Sequence, residues 1–420
     1  MRLTTCGLGC RRPKRFLIIC VLLLLFLGCF YLAQVVHEII RDMKCSEQES
    51  KEVLQQYCQM YHDKRIVGDL CPHLCDNDRT IQYKQCTNYR QGKRVFIVRC
   101  HDYCQEGDTV SAVLKTNHKN FSDFLNEEFS FEREDQEKNG PSVDQLQTMI
   151  KDTLQMDLHM NLPEGTDPIA FMWKDNYLDY YNKNDKSSQF ALARSIWSLV
   201  RQWEYLMMRA NQEHQFMPHI YGTCGPLYLM EYAPPGEMLG HDVQFTNLPW
   251  VDRAKVAKSI LGILWSIQED MHEPVHLCDV KGENFGVSET GQVKLIDTDT
   301  VFYDSKMMDE LAFGNCSRNK ECDFFDCRGW CDPGTGQCAK VRINNNLQSV
   351  CQDVFLGKLM DSVGGLLRNP PRAIKAQLKS ILDKCAFSQT SEDGIPVQKP
   401  SEELYWRLYN LLQNSIDSQS

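Results

Sequence analysis

The chain has 420 residues and a formal net charge of −10, with 42% hydrophobic and 24% charged side chains. This is the composition of a globular protein with one large domain or two medium ones. The acidic balance argues against nucleic acid as a partner, because phosphate backbones are bound by clusters of basic side chains.

The first 36 residues differ from the rest of the chain. Residues 16–36 form an uncharged apolar run that is long enough to span a bilayer as a helix. Five basic and no acidic side chains precede it, so the positive-inside rule places residues 1–15 in the cytoplasm and the remainder, which carries −15, in a lumen. A cleaved signal peptide is the alternative. The length of the run and the lack of a small-residue exit favour an uncleaved signal anchor of a single-pass type II membrane protein.

The cysteines point to the same compartment. Of 20 cysteines, four precede or lie in the apolar run, which leaves sixteen beyond it. Many thiols in an oxidising compartment predict disulfides, and the alternative of zinc lacks two close ligand pairs at finger spacing. Asn120 and Asn315 are in glycosylation sequons, which are used only in the lumen. Residues 37–80 are interpreted as a stalk that disulfides join to the domain, through Cys45, Cys58, Cys71 and Cys75.

Residues 53–192 contain helix signals, then strand signals, then helix signals again. Within the stalk, residues 53–61 predict a short helix, and three β-rich runs follow at 82–85, 94–98 and 110–115, the third ending in Lys115. Residues 123–192 are interpreted as an insertion with an amphipathic helix at 143–156.

Residues 175–192 of this insertion resemble a degenerate calcium loop. Oxygen ligands are present, but the turn glycine and the closing glutamate are missing, so we predict no calcium site. The oxygen-bearing side chains are Asn182, Asn184 and Asp185.

Three further predicted elements precede residues 276–299. Residues 193–209 repeat apolar side chains at helical spacing and predict one helix that carries Glu204. Residues 227–238 predict an apolar strand that Pro-Pro-Gly terminates, and the backbone from Glu231 to Ala233 offers groups that can hydrogen-bond a planar ligand edge. Residues 250–271 predict a long amphipathic helix.

Residues 276–299 hold the residue types that phosphoryl transfer requires. Asp279 is followed by Lys281 two residues later and Asn284 five residues later, and a strand, turn and strand then lead to Asp297. This pattern places two carboxylates and an amide at the open end of one hairpin. An Asp can orient an attacking hydroxyl, while an Asn and a second Asp can hold the magnesium of a nucleotide. An ordinary acidic hairpin is the alternative.

The order of these features resembles that of protein kinases, in which D-x-K-x-x-N is followed by a metal-binding Asp. With the apolar anchor and the late cysteine cluster, the chain is identified as a member of the divergent protein kinase domain family, cysteine-rich type II membrane proteins of the endoplasmic reticulum. The resemblance implies an α+β bilobal kinase-like fold over residues 81–415, with a cysteine-rich insertion at 311–351. The chain departs from kinases at Leu277-Cys278, where His-Arg is usual, and at Thr298-Asp299, where Phe-Gly is usual. It also lacks A-P-E, and Gly92 is the one glycine where kinases have a glycine-rich loop.

The resemblance also implies roles for the candidate residues. Asp279 and Lys281 would be catalytic, and Asn284 with Asp297 would bind Mg²⁺ or Mn²⁺. Lys115, paired with Glu204, would position the phosphates of ATP, and the backbone at Glu231 and Ala233 would bind adenine. The kinase central helix would start near Asp353, whose carboxylate would brace the catalytic loop, and Cys278 is predicted to be unpaired.

The implied activity is that of a luminal ATP-dependent kinase whose acceptor is a hydroxyl group on a protein or a glycan. A catalytically inactive pseudokinase scaffold in the endoplasmic reticulum membrane is the alternative. The missing glycine-rich loop and A-P-E motif favour that alternative, whereas the full set of lysine, glutamate, aspartates and asparagine favours the kinase.

Overall fold

The computed structural model describes residues 28, 31, 47–76, 80–88, 93–117, 140–234, 248–357, 365–387 and 401–418. The predicted cytoplasmic tail, nearly all of the apolar run, Gly92 and the Asn120 sequon lie outside these residues. Within them, no helix is both long enough and apolar enough to cross a membrane.

The N-terminal lobe is built on a five-stranded sheet in which every neighbouring pair is antiparallel, in the order β1-β2-β3-β5-β4. The three consecutive strands predicted from the sequence are therefore present. The strands are β1 (Ile81–Asn88), β2 (Arg94–His101), β3 (Thr109–Thr116), β4 (Ile220–Cys224) and β5 (Leu227–Glu231).

Two helices from the predicted stalk cover one face of this sheet. They are α1 (Glu47–His62) and α2 (Leu70–Cys75), and their apolar side chains share a buried cluster with Leu114 and other sheet residues. The Cys71–Cys224 disulfide ties α2 to β4, and the Cys58–Cys75 disulfide ties α1 to the end of α2. This part of the predicted stalk is thus a layer of the lobe.

The opposite face of the sheet packs against helices from the insertion and beyond. Side chains alternate along a strand, so Val113 joins the second cluster while Leu114 joins the first. The helices are α3 (Val143–Asp157), α4 (Pro168–Met172), α5 (Lys186–Val200) and α6 (Trp203–Ala210), with a 3₁₀ turn at Tyr177–Tyr180. Asp185 caps α5 by accepting from Ser187 N at 3.0 Å.

The prediction of one continuous helix over 193–209 is wrong, because the chain breaks between α5 and α6. Gln202 has an extended backbone at the break (φ −91°, ψ 106°), and its side chain is buried. The amide nitrogen donates to Ser198 O and Pro226 O, at 2.8 and 2.7 Å, and the amide oxygen accepts from Asn117 N at 2.8 Å. A buried amide needs such partners, and these three come from three separate segments that meet at the break.

The C-terminal lobe is mainly helical around a long central helix, α7 (Trp250–Glu269). Tyr405 of the last helix donates its hydroxyl to Leu261 O of α7 at 3.0 Å, inside the large apolar core. The remaining elements are β6 (Val275–Leu277), β7 (Phe285–Val287), β8 (Val293–Leu295), β9 (Val301–Tyr303), α8 (Asp304–Leu311), β10 (Gly329–Asp332), β11 (Gln337–Arg342), α9 (Asn346–Ser349) with a π-helical continuation (Val350–Phe355), α10 (Lys375–Ala386) and α11 (Glu402–Asp417), with 3₁₀ turns at Gly282–Asn284 and Asn319–Cys322.

Disulfides order the cysteine-rich insertion, which has few apolar side chains. Three of its sulfurs lie close enough together to suggest a metal site, but each belongs to a disulfide. The disulfides of this region are Cys316–Cys331, Cys322–Cys338, Cys278–Cys327 and Cys351–Cys385. The prediction of a disulfide-rich, mixed α and β protein is confirmed in the part of the chain that the structure describes.

Candidate active site

The predicted contact between the strand lysine and the helix glutamate is present. Lys115 is on β3, on the opposite face from Leu114, and its Nζ lies 2.8 Å from Glu204 Oε1 on α6. The same ammonium donates to Ile296 O at 2.8 Å, directly before Asp297. These contacts of Lys115 therefore join the sheet, α6 and the turn after β8 that carries Asp297, the candidate metal ligand.

Glu204 is fully buried, in the first turn of α6. Its second oxygen, Oε2, accepts from the Tyr228 hydroxyl at 2.8 Å and contacts Lys93 Nζ at 3.0 Å. Burial alone raises the pKa of Glu204, but the charges of Lys115 and Lys93 outweigh burial and hold that pKa below its usual value. Glu204 is therefore an ionised carboxylate that organises two lysines.

Lys93 is a site residue that sequence reasoning missed. It directly precedes β2, and its side chain is only 10% exposed. Its Nζ lies 3.0 Å from Asp297 Oδ1 and 2.8 Å from Asp299 Oδ2, besides the contact with Glu204. Burial lowers the pKa of Lys93, but these three carboxylates together raise it well above its usual value. No motif marks Lys93, and the one available signal was a basic residue next to Gly92, where kinases have a glycine-rich loop.

The segment between β6 and β7, residues 278–284, corresponds to the predicted catalytic loop and brings three of the predicted side chains together. Asn284 Nδ2 donates to Asp279 O at 2.8 Å and to Asp279 Oδ2 at 3.2 Å, and Lys281 Nζ lies 2.7 Å from the same Oδ2. In the β7–β8 hairpin, Phe285 pairs with Leu295, and this pairing brings Asp297, which follows β8, back to Asn284, which precedes β7. Asp279, Asn284 and Asp297 line one small cavity.

The turn after β8 carries two carboxylates on either side of a buried threonine. Thr298 replaces the usual Phe of kinases and donates its hydroxyl to Glu204 O at 3.3 Å. Burial raises the pKa of Asp297, but Lys93 and Lys115 bring it below its usual value. Burial and the charge of Glu204 raise the pKa of Asp299 to about 6. Asp297 is thus the fully ionised member of the pair at neutral pH.

The catalytic loop is braced by Asn346 of α9, and the prediction that Asp353 braces it is wrong. Asn346 Oδ1 accepts from Leu277 N at 2.9 Å, and its Nδ2 donates to Val275 O at 2.7 Å. Asp353 lies seven residues further along, in the π-helical continuation. An amide can satisfy both a donor and an acceptor of the loop backbone, which an ionised carboxylate cannot do.

Behind this brace lies a buried guanidinium. Arg342 donates from Nη1 to Asn346 Oδ1 at 2.7 Å and to His276 Nδ1 at 2.8 Å. The other ring nitrogen of His276, Nε2, lies 2.7 Å from Asp304 Oδ1. Because Nδ1 accepts the bond from Arg342, the imidazole is neutral and carries its proton on Nε2.

The prediction that Cys278 is unpaired is wrong, because it forms a disulfide with Cys327 of the cysteine-rich insertion. Asp326 also donates its backbone N–H to Cys278 O at 2.8 Å and accepts from Val280 N at 2.6 Å. The contacts among Asp279, Lys281 and Asn284 coexist with the disulfide, which attaches the insertion beside Asp279.

The residues predicted to contact adenine, Glu231 and Ala233, already make contacts within the protein. The N–H of Glu231 donates to His219 O at 2.8 Å, and its carboxylate lies 2.9 Å from Lys294 Nζ. Ala233 packs so closely against Gly286 of β7 that a Cβ on Gly286 would meet Ala233 O at 2.6 Å. The Glu231 N–H, one of the predicted adenine contacts, is therefore already bonded within the protein.

The donor set suits a divalent cation on a nucleotide. Magnesium prefers carboxylate and amide oxygens and is held by one or two carboxylates together with substrate phosphates. Asp297 would supply the carboxylate, and Asn284, which uses its amide nitrogen for Asp279, would offer its amide oxygen as a ligand. The ammonium group of Lys93 contacts Asp297, and Lys115 lies close enough to lower the pKa of the same carboxyl.

Two family models match the chain. One is described as the protein-kinase domain of FAM69 and matches residues 196–388. The other is described as the N-terminal cysteine-rich endoplasmic reticulum region of FAM69 and matches residues 10–166. Glu204, Asp279, Asn284 and Asp297 fall within the first match, while Lys93 and Lys115 fall within the second.

Proposed function

The chain belongs to the FAM69 family, and from that premise we propose that it is an ATP-dependent kinase that phosphorylates hydroxyl groups of proteins or glycans in the secretory pathway. The observation that carries the proposal is the buried Lys115–Glu204 ion pair, at 2.8 Å, next to a cavity that Asp279, Asn284 and Asp297 line together. An isolated acidic hairpin would not need a lysine from β3 and a glutamate from α6.

The proposed roles follow from the contacts of each residue. ATP with Mg²⁺ or Mn²⁺ would supply the phosphoryl group and neutralise part of its charge. Lys115, held by Glu204, would contact phosphate, and Asn284 with Asp297 would hold the cation. Asp279 would orient the acceptor hydroxyl and receive its proton as the oxygen–phosphorus bond forms and the bond to the leaving diphosphate breaks.

Lys281 contacts the same oxygen of Asp279 as Asn284 does, and it would complete the catalytic pair. Its ammonium contacts Asp279 Oδ2 at 2.7 Å and is 37% exposed. An exposed ammonium at this position can move toward the transferring phosphoryl group, where it would offset negative charge.

The proposal includes a location. Residues 16–36 would anchor the protein in the endoplasmic reticulum membrane as a single-pass type II protein, with residues 1–15 in the cytoplasm and the kinase-like domain in the lumen. Seven disulfides among the described residues support an oxidising compartment. Asn315 is exposed in the cysteine-rich insertion, as a glycosylated sequon must be.

A pseudokinase scaffold is the second candidate, and one observation favours it. The ammonium of Lys93 contacts both Asp297 and Asp299, so a protein side chain lies where a cation would bind. If Lys93 never leaves, the site has no need of metal, and its lysines and acids would serve only to hold the two lobes together.

The two candidates differ in two measurable properties. The full-length chain, purified in detergent, would be heated with ATP and Mn²⁺ and separately incubated with labelled ATP and luminal proteins. If the protein is a kinase, the Tm of the wild type rises with ATP and Mn²⁺, and the wild type transfers label to an acceptor. The Asp279→Asn variant should show the same rise in Tm but transfer no label. A wild-type chain that shows neither response would be a scaffold.

A further inference from the structure

Lys93 is held by a complete shell of carboxylate oxygens. An ammonium has three N–H donors, and Lys93 has three acidic partners at 2.8–3.0 Å, namely Glu204, Asp297 and Asp299. Glu204 comes from α6, and the two aspartates come from the turn after β8. Lys93 is therefore bound much as a metal ion is bound, by oxygens that separate elements bring to one point.

The charges of the cluster explain why a cation is held there. Glu204, Asp297 and Asp299 contribute three carboxylates, against which Lys93 and Lys115 provide two ammonium groups. Without Lys93, three carboxylates would face Lys115 alone, and like charges at such distances repel strongly when partly buried. Something cationic must occupy the position, and in this structure it is the side chain of Lys93.

A divalent cation at Asp297 would compete with Lys93 directly. Magnesium sits about 2.0–2.1 Å from its carboxylate ligands, whereas Asp297 Oδ1 is already bound to the Lys93 ammonium at 3.0 Å. If the metal displaced the Lys93 ammonium from its carboxylates and no other acceptor received it, the buried, unpaired charge would cost free energy. A nucleotide removes that cost, because its phosphate oxygens can receive the lysine that the metal displaces.

We propose that Lys93 is a tethered cation that occupies the divalent-metal position beside Asp297 and turns onto nucleotide phosphate when metal and nucleotide bind together. Lys93 thereby takes over part of the phosphate contact that a glycine-rich loop makes in kinases, and it couples metal binding to nucleotide binding. The nucleotide half of this inference rests on the proposed function, while the competition between Lys93 and metal does not.

The first test measures Mn²⁺ binding to the full-length chain by electron paramagnetic resonance, without nucleotide. Lys93→Met removes the charge and keeps most of the aliphatic stem, so Mn²⁺ should bind on the order of ten- to a hundredfold more tightly than to the wild type, as expected for removing one charge at contact distance. Other acidic sites on the surface can also bind Mn²⁺. The Mn²⁺ binding that Asp297→Asn retains is therefore subtracted, and the remainder is binding at this site. Lys84→Met, at an exposed position on β1, is the matched control and should leave Mn²⁺ affinity unchanged.

The second test has its deciding outcome in the wild type, so that outcome does not depend on a variant that folds. Mn²⁺ affinity is measured with and without a non-hydrolysable ATP analogue, and linkage requires each ligand to strengthen the other by the same factor. We expect strong mutual enhancement in the wild type and a much smaller one in Lys93→Met. Equal Mn²⁺ affinity with and without the analogue in the wild type would overturn the coupling.

The outcomes separate this inference from the proposed function. If the wild type binds Mn²⁺ with the analogue and Lys93→Met binds Mn²⁺ alone no better than the wild type, the tethered cation is refuted and the kinase proposal stands. If no analogue binds to any variant but Lys93→Met still gains Mn²⁺ affinity, the kinase proposal fails and Lys93 remains the resident cation of a scaffold.

Discussion

Replacing Glu204 with glutamine tests the buried ion pair between β3 and α6. The change keeps the shape of the side chain and removes one charge from a fully buried position. Lys115 would then keep Ile296 O as a partner but lose its counter-ion, and Lys93 would keep Asp297 and Asp299. The main cost is therefore the uncompensated charge of one buried lysine.

Breaking a buried ion pair by removing one partner costs about 3–5 kcal/mol. The partners that remain for both lysines place Glu204→Gln at the lower end, about 3 kcal/mol. With about 2–4 °C of Tm per kcal/mol for domains of 150–250 residues, the full-length chain should lose on the order of 6–12 °C.

The assay is thermal unfolding of the full-length chain without ligand, followed by tryptophan fluorescence. Glu47→Gln is the matched control, because Glu47 forms an ion pair with Lys51 at 2.6 Å on the surface, with both side chains more than half exposed. Exposed pairs contribute little, so the control should melt with the wild type. If Glu204→Gln also melts with the wild type, the buried pair does not carry the stability assigned to it.

Three further predictions concern the catalytic loop and its supports. Burial lowers the pKa of His276 below 6.5, so near that pH the unfolded chain binds a proton at this residue and the folded chain does not. The free energy of unfolding should therefore decrease as the pH drops below about 6.5. Between pH 7 and 5, the Tm of His276→Gln should fall less steeply than that of the wild type. Asn346→Leu strands one buried donor and one buried acceptor of the loop and should cost about 2–5 kcal/mol in urea unfolding; a loss below that range would show that the loop is braced elsewhere. Mass spectrometry of non-reduced peptides should find Cys278 linked to Cys327, and an alkylated, free Cys278 would contradict the structure.

The features that the sequence predicted well are local. The spacing of Asp279, Lys281 and Asn284 specifies one turn of backbone, and the following strand, turn and strand return the chain to it within a few residues. The pairing of Lys115 with Glu204 is not local, and it was predictable because the order of strand, helix and loop matched a known architecture. Thus short-range geometry and element order together gave most of the candidate site.

The features that the sequence did not predict depend on long-range contacts without a motif. Lys93 meets Asp297 and Asp299 across 204 and 206 residues, and nothing in its own neighbourhood signals those partners. The break before α6 likewise depends on Gln202, whose amide bonds Asn117 at a separation of 85 residues. Helical periodicity continued through the break, so periodicity alone predicted one helix.

The pairing of Cys278 and the role of Asn346 were missed for a different reason. A cysteine in a catalytic loop has many candidate partners among sixteen, and composition cannot select one. Asn346 supplies both a donor and an acceptor to the loop, whereas the expectation from kinases pointed to a carboxylate at Asp353. Family resemblance predicted that a brace exists but placed it on the wrong side chain.

The central claim, that Asp297 and Asn284 form a metal-dependent nucleotide site, is tested most directly by calorimetric titration of ATP into the full-length chain with and without Mn²⁺. We expect the wild type to bind ATP with Mn²⁺ and to bind far more weakly without it, because a carboxylate facing phosphate repels it unless a cation lies between them. Asp297→Asn should lose the metal-dependent part of binding while melting like a folded protein. If the wild type and Asp297→Asn respond equally to ATP in the presence and the absence of Mn²⁺, the assignment of this site is wrong.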